Sequence, residues 1–87
     1  MNHDLKAWPE PFDAIVSGEK TCEVRRYERP YRVGDTLTLH EWTPLDPLGQ
    51  SGSYTGRTIV VLVTHLIRGE WGIPADVCVM SIRKVST

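Results

Sequence analysis

Four side chains capable of polar chemistry lie close together in the first third of the chain. Lys20, Thr21, Glu23 and Arg25 supply an amine, a hydroxyl, a carboxylate and a guanidinium. In a β-strand alternate residues share a face, so Thr21, Glu23 and Arg25 are predicted to line one side at intervals of about 7 Å. Such a face could hold a polar planar ligand, because arginine suits bidentate contact with a phosphate or carboxylate. The same spacing also fits an ordinary solvated strand face with Glu23 paired to Lys20 or Arg25.

A short helix is predicted to precede this segment. Phe12, Ile15 and Val16 recur at helical spacing, and prolines are favoured in a first helical turn. Gly18 can adopt the left-handed conformation that ends a helix. We therefore expect a helix from Pro9 to Ser17.

The helix end and the following strand are expected to position the polar group. Lys20 would lie in the turn, where its amine can swing over the polar face of a strand from Thr21 to Tyr27. The alternation in this strand puts Cys22 and Val24 on the opposite face, which we predict to face the core.

The remaining patterns predict only strands and loops. Together with the segment above, strands are predicted for residues 3–8, 21–27, 36–42, 57–67 and 77–85, and a loop for Thr43 to Thr55. The order is β-α-β-β-β-β in one domain of residues 1–87. One helix cannot cover both faces of an open sheet, so we expect a mainly β (α+β) fold, a small mixed barrel of five or six strands with the helix at one end.

Composition limits the function classes. The chain has 87 residues and a net charge of −1, which argues against a dedicated duplex-DNA binder. Lys20, Arg25, Arg26, Arg29 and Arg32 nevertheless form a local basic cluster. No apolar run approaches the roughly 20 residues of a membrane span, and no secretory signal opens the sequence. A cytoplasmic protein without a membrane partner is therefore predicted.

Metal and cofactor chemistry is not predicted. Cys22 and Cys78 lie in apolar strand patterns and are predicted to be reduced and inward-facing. The histidines are scattered, and no paired Cys or His spacing typical of zinc sites occurs. Glycine-rich loops for a dinucleotide or a triphosphate are also missing, so we expect no metal and no cofactor.

The run G-E-K-T-C-E-V-R (residues 18–25) resembles the G-x-K-x-x-E-x-R signature of the ASCH domains (activating-signal-cointegrator homology) in the PUA-like superfamily. Further segments are similar to a small bacterial and phage subgroup of unassigned role: H-x-L-K-x-W-P-x-x-F, V-G-D-x-L-x-L-x-E-W, Y-T-G-R and V-M-S-I. Together these segments cover nearly the whole chain. Residues 46–53 look like an extended loop relative to shorter members.

The resemblance implies a PUA-like barrel with a cleft between the helix and the barrel mouth, lined by Lys20, Glu23 and Arg25. Related domains are thought to bind RNA or single nucleotides. We therefore expect an RNA- or nucleotide-binding module, acting as a monomer or weak dimer. In it Arg25 and Lys20 contact phosphate or base edges, and Glu23 accepts from an exocyclic amine.

Further residues are candidates for the same site. Trp8 and Tyr27 could each stack a base, although Trp8 could equally belong to the core. Lys6, Arg26 and Arg57 could add positive charge.

Two other functions stay open at the sequence level. Some small ASCH-like proteins resemble amidohydrolases that deacylate modified cytidine through a Lys-Thr-x-Thr pattern. Lys20 and Thr21 match this pattern, but Glu23 replaces the second threonine, so Glu23 would have to act as a general base with Lys20 polarising a carbonyl. A regulatory protein-interaction domain is the third possibility.

Overall fold

The computed structural model of the protein describes residues 1–85. Its elements are β1 (Asn2–Ala7), α1 (Pro9–Ser17), β2 (Cys22–Arg26), β3 (Thr36–Pro44), β4 (Gly52–Ile67) and β5 (Val77–Lys84). The predicted mainly β class and the order β-α-β-β-β-β are confirmed. No helix within residues 1–85 has the length and apolar character needed to cross a membrane.

The five strands form one curled sheet with the shape of a half-barrel. The strand order is β1-β3-β4-β5-β2, in which β1 and β3 are parallel and the other neighbours antiparallel. The concave face and α1 enclose the core, whose most buried members are Phe12, Leu37, Leu39, Val61, Val63, Cys78 and Met80. Because β1 and β2 are the two edges of the sheet, the fold has an open seam beside α1.

The helix has the predicted bounds for the predicted reasons. It begins with proline in its first turn, buries Phe12 and Ile15, and ends at Gly18, whose φ is 85°. The amide of Lys20 then donates to the carbonyl of Ala14 at 2.9 Å, which folds the chain back over the end of α1. This turn brings Lys20 to the seam.

The loop between β3 and β4 is shorter than predicted. The two strands stay paired in an antiparallel ladder as far as Pro44 and Gly52, across residues expected to form a loop. Residues 45–51 make the connection. Pro44 and Gly52 can occupy the end of this ladder because fewer main-chain hydrogen bonds are required there than in the middle of a sheet.

The face of β2 that points to the core is the opposite of the predicted one. Glu23 is only 5% exposed, whereas Val24 is 56% exposed and Cys22 is also exposed. The register with β5 gives the reason: Glu23 lies opposite Met80 and Arg25 opposite Cys78, and both partners are fully buried. Directly opposite residues share a face of the sheet, so the polar side of β2 faces inward. The predicted inward position is therefore wrong for Cys22 and confirmed for Cys78, and both thiols are free.

Candidate functional site

A cleft of about 350 Å³ lies at the seam between the two edge strands. The end of β1, the first turn of α1, the turn after α1 and β2 supply its lining: Lys6, Ala7, Trp8, Pro11, Lys20, Glu23, Val24 and Arg25. Its volume falls within the range of about 300–1,000 Å³ typical of small-molecule sites.

An ion triad forms the floor of this cleft. The carboxylate of Glu23 lies 2.7 Å from Nε of Arg25 through Oε2, and 3.5 Å from Nζ of Lys20 through Oε1. The carboxylate is almost fully buried, whereas each cation keeps about a third of its side chain in solvent. Glu23 therefore holds both cations at the mouth of the cleft without removing them from contact with a ligand.

Arg25 also joins the two edges of the sheet. Its Nη2 donates to the main-chain carbonyl of Lys6 at 2.6 Å. With Nε committed to Glu23, Nη1 is the guanidinium nitrogen left to meet a ligand.

Two tryptophans form the wall next to Lys6. Nζ of Lys6 lies 4.0 Å from the ring centroid of Trp42, a cation–π contact. The rings of Trp8 and Trp42 lie 6.3 Å apart at 41°. Trp42 is buried, but Trp8 remains 45% exposed and lines the cleft. A half-exposed indole beside three cations offers a surface on which a flat ring can stack.

The loop of residues 45–51 contacts the ring of Trp8. A Cβ placed on Gly49, whose φ is 69°, would lie 2.5 Å from the Trp8 ring, so this backbone packs directly on the indole. Asp46 holds the loop: its carboxylate accepts from the amides of Leu48, Gln50 and Ser51 and from the hydroxyl of Ser51. The Ser51 hydroxyl and the Gln50 amide are the main reasons that the pKa of Asp46 falls to about 2.

The charge of the cleft differs from that of the whole chain. Lys6, Lys20 and Arg25 supply three positive charges against the one negative charge of Glu23, while the chain as a whole is at −1. The lining therefore carries a net charge of +2 and favours an anionic ligand. No group of three His, Cys, Asp or Glu side chains within residues 1–85 is arranged to hold a metal ion.

Residues 2–82 match a protein family described as a domain of unknown function (DUF3850). The chain belongs to the DUF3850 family. It is also similar to an uncharacterized 12.9 kDa protein in the GpA 3′ region of Escherichia phage P2, with 37% identity over 64 residues. This match covers 74% of the chain, and the chain spans about half the length of the phage protein, 52%. Neither description names an activity.

Five of the sequence-predicted site residues meet in the DUF3850 cleft: Lys6, Trp8, Lys20, Glu23 and Arg25. Thr21 does not join them; it precedes the first residue of β2 and is not among the residues that line the cleft. Thr21 is exposed in a neighbouring groove, and its carbonyl accepts from the amide of Ile82 at 3.0 Å.

The other three predicted residues also lie outside the cleft lining. Arg26 is exposed and pairs with Asp76 at 3.3 Å. Tyr27 packs against the core, with the guanidinium of Arg68 3.7 Å from its ring centroid.

Arg57 is engaged by groups outside the cleft. It lies 3.0 Å from Asp13 and 3.3 Å from the buried carboxylate of Glu41, and its guanidinium lies over the ring of Phe12. These contacts explain why Arg57, which lies within β4, does not contribute to the charge of the cleft.

Sequence reasoning missed the support that Asp46 and Gly49 give to Trp8. The signal was present, because an aspartate followed by proline, glycine and serine is typical of a turn in which a side chain binds nearby amides. The contact of this turn with Trp8 could not be predicted, because Trp8 lies far away in the sequence.

Proposed function

We propose that the cleft binds a nucleotide, either free or as an unpaired nucleotide of RNA. The observation that carries the proposal is the convergence of three cations and a half-exposed indole in one cleft of about 350 Å³. Phosphate needs positive charge and hydrogen-bond donors, and a base needs a flat apolar face. Both requirements are met within one cleft.

Each lining residue has a distinct role in this proposal. Nη1 of Arg25 and Nζ of Lys20 contact the phosphate, and Lys6 adds charge at the Trp8 side. Trp8 stacks the base, a contact worth about 1–3 kcal/mol. Glu23 orients both cations through its two carboxylate oxygens.

The geometry supports binding over hydrolysis. The eight residues that line the cleft include no serine, threonine or cysteine, and Thr21 lies in the neighbouring groove. A hydroxyl nucleophile next to Lys20 is therefore not available in the cleft. Both oxygens of Glu23 already face cations, which leaves a water-activating base with little freedom.

The relation to PUA-like ASCH domains is part of the same proposal. Its support is the curled sheet with one early helix and a cleft beside that helix, lined by the lysine, glutamate and arginine of the shared motif. We also propose that the protein acts in the cytoplasm, where an exposed thiol such as that of Cys22 stays reduced.

A binding titration tests the proposal. Nucleosides, nucleoside monophosphates and short unpaired RNAs are titrated into the protein by calorimetry and by thermal shift. A ligand at 100 times its Kd stabilises the fold by about 2.7 kcal/mol. We expect nucleotides to bind more tightly than nucleosides, and Lys20→Ala and Trp8→Ala to weaken that binding.

Arg26→Gln is the matched control, because Arg26 belongs to the same strand but lies outside the cleft on the exposed face. Its affinity should equal that of the parent. The absence of any nucleotide or RNA binding at millimolar concentration would rule the proposal out, as would equal losses for Arg26→Gln and Lys20→Ala.

A further inference from the structure

One edge of strand β2 carries main-chain groups that the sheet leaves unpaired. The amide of Ile82 donates to the carbonyl of Thr21 at 3.0 Å. The amide of Tyr27 donates to the carbonyl of Asp76 at 2.8 Å. These contacts continue the antiparallel register of β2 with β5 by one residue at each end. Because hydrogen-bonded pairs alternate along such a ladder, the odd-numbered residues of β2 direct their main-chain groups to β5, and the even-numbered residues direct theirs to the open seam.

Val24 is the even-numbered residue of β2 that lines the cleft. Its side chain points away from the face that carries Glu23 and Arg25, and it is 56% exposed. Its N–H and C=O point into the seam in which the cleft lies. Neither group forms a hydrogen bond with another residue of the described range 1–85. Val24 therefore offers a ligand one free donor and one free acceptor, side by side.

Two other acceptors at the cleft are already engaged. The carboxylate oxygens of Glu23 lie 2.7 Å from Nε of Arg25 and 3.5 Å from Nζ of Lys20. The carbonyl of Lys6, which faces the seam from the side of β1, accepts from Nη2 of Arg25. The carbonyl of Val24 has no such competitor, so it can accept from a ligand without breaking an ion pair.

A nucleobase presents the groups that Val24 requires. The N–H and C=O of one residue on a free strand edge pair with a partner that carries an acceptor next to a donor, as an added strand does. The Watson–Crick edge of a nucleobase has such a neighbouring pair, for example O4 and N3–H of uracil, or N3 and the amine of cytosine. Unpaired bases are commonly recognised through this edge.

We infer that the main chain of Val24 recognises the Watson–Crick edge of the base in the cleft. Its N–H donates to an acceptor of the base, and its C=O accepts from the neighbouring ring N–H or exocyclic amine. Trp8 contacts the flat face of the base, and Lys20 and Arg25 stay with the phosphate. This inference rests on the proposed function and adds a requirement to it, because the base must have a free edge on which a donor and an acceptor are neighbours.

Methylated ligands test this requirement on the unchanged protein. Each of the four nucleoside 5′-monophosphates is compared by calorimetry with a derivative methylated on its Watson–Crick edge: 3-methyluridine, N4,N4-dimethylcytidine, N6,N6-dimethyladenosine or 1-methylguanosine. The members of a pair share the phosphate, the sugar and the stacking face. For the best-bound base, methylation should weaken binding roughly tenfold or more, because the donor is lost and the carbonyl of Val24 is left unpaired. Equal affinity within that pair would overturn the inference.

Amide hydrogen exchange locates the contact. In the free protein the amide of Val24 should exchange fast, whereas the amides of Glu23 and Arg25 are protected by the ladder with β5. The best-bound monophosphate should slow the exchange of Val24 but not that of Cys22, whose amide faces the same edge outside the cleft lining. Protection of Val24 in the free protein would contradict its place at the edge. An unchanged rate in the complex would contradict its contact with the ligand.

Val24→Pro removes the N–H that the inference assigns to the base. Proline is tolerated on an edge strand where the N–H faces away from the neighbouring strand, so β2 should stay paired with β5, and urea denaturation checks this. We expect the affinity for the best-bound monophosphate to fall about three- to tenfold and the penalty for methylation to shrink. Cys22→Pro, at the same edge, and Val24→Ala, which keeps the main chain, should bind like the parent. Equal losses in Val24→Pro and Cys22→Pro would count against the inference.

The failures of the two proposals give different results. If monophosphates bind, but methylation leaves their affinity unchanged and Val24 stays unprotected, the cleft proposal stands and the inference is wrong. Where Val24→Pro does not fold, the methylated ligands and the exchange of Val24 in the parent protein decide the matter. If neither monophosphates nor short RNAs bind, both proposals fall.

Discussion

Arg25 in β2 donates a hydrogen bond of 2.6 Å to the main-chain carbonyl of Lys6 in β1. These strands are the opposite edges of the sheet, so this side chain spans the seam that main-chain pairing leaves open. Glu23 fixes the guanidinium by accepting from its Nε. The same residues therefore close the half-barrel and charge the cleft, which couples fold stability to ligand binding.

This coupling predicts that Arg25→Lys is not a conservative change. A lysine keeps the charge but cannot contact Glu23 and the Lys6 carbonyl with two fixed donors. We expect the free energy of unfolding to fall by about 1–3 kcal/mol, together with weaker nucleotide binding. Urea denaturation measures the first effect. Arg26→Lys, in the same strand but exposed, should stay within about 0.5 kcal/mol of the parent, and an equal loss in both variants would contradict the role of Arg25.

Glu23→Gln tests the ion triad. The substitution leaves Lys20 and Arg25 without their shared carboxylate, although both cations keep some solvent contact. We expect a loss of roughly 2 kcal/mol in the free energy of unfolding. Because the cleft gains a full positive charge, added phosphate should then raise the Tm of the variant more than that of the parent. The exposed Glu28→Gln serves as the control, and an unchanged response to phosphate would show that the triad does not attract anions.

The sequence was sufficient to predict the helix and the order of the helix and strands along the chain. The prolines, the spacing of Phe12, Ile15 and Val16, and Gly18 act locally, so they could be read without knowledge of the fold. The residues that meet in the cleft were partly predictable, since Lys20, Glu23 and Arg25 lie in one short segment. Lys6 and Trp8 reach the same cleft only because β1 runs into α1 at the seam.

The facing of β2 could not be predicted from its alternation. Alternation divides a strand into two faces but does not say which face points inward. Because Cys22 and Val24 are apolar, their face of β2 would be expected to point to the core. The register with β5, which pairs Glu23 with Met80 and Arg25 with Cys78, instead turns the charged face to the concave side. The concave side of an edge strand at an open seam is not fully enclosed. Lys20 and Arg25 therefore stay in contact with solvent while both remain paired with Glu23.

The two thiols should differ in reactivity by their exposure. Cys22 is exposed, whereas Cys78 is buried, and this burial raises the pKa of its thiol. We expect one equivalent of iodoacetamide to react with the folded protein and a second only in denaturant, because the thiolate is the reactive form. Mass spectrometry of the modified peptides identifies the residue. Fast modification of Cys78 would contradict its buried position in β5. A failure of Cys22 to react would contradict its exposed position in β2.

The carboxylate of Asp46 should make stability depend on pH in the acid range. Its pKa of about 2 lies below the ordinary value of 3.8, chiefly because of the Ser51 hydroxyl and the Gln50 amide. A lowered pKa in the folded state contributes stability that is complete above the unfolded pKa and is lost as the pH falls through the folded one. Asp46→Asn should therefore be less stable than the parent above about pH 4 and converge with it near pH 2. Melting curves across this range decide the matter, and a difference that stays constant with pH would contradict it.

The last prediction concerns the support of Trp8 by the loop of residues 45–51. A methyl group at Gly49 would lie 2.5 Å from one ring carbon of Trp8 and 2.9 Å from another, closer than unbonded carbons approach. Gly49→Ala must therefore displace either the loop or the indole, and it adds the strain of a left-handed residue, about 1 kcal/mol. Gly34→Ala is a matched control, because Gly34 has a φ of 96°, no neighbour within 4 Å of the added Cβ and no tryptophan beside it in the chain.

Both glycine variants should lose stability through backbone strain, so stability alone does not test the support of Trp8. Only Gly49→Ala should also change the fluorescence of the native protein, since the indole environment is altered. If Trp8 stacks the base, only Gly49→Ala should weaken nucleotide binding, by up to about tenfold for a loss of 1.4 kcal/mol of stacking. Equal binding and equal fluorescence in the two variants would mean that the loop does not set the position of Trp8. A changed fluorescence spectrum with an unchanged affinity for nucleotide would mean that Trp8 lines the cleft but does not stack on the base. The phosphate contacts of Lys20 and Arg25 would then have to account for the affinity.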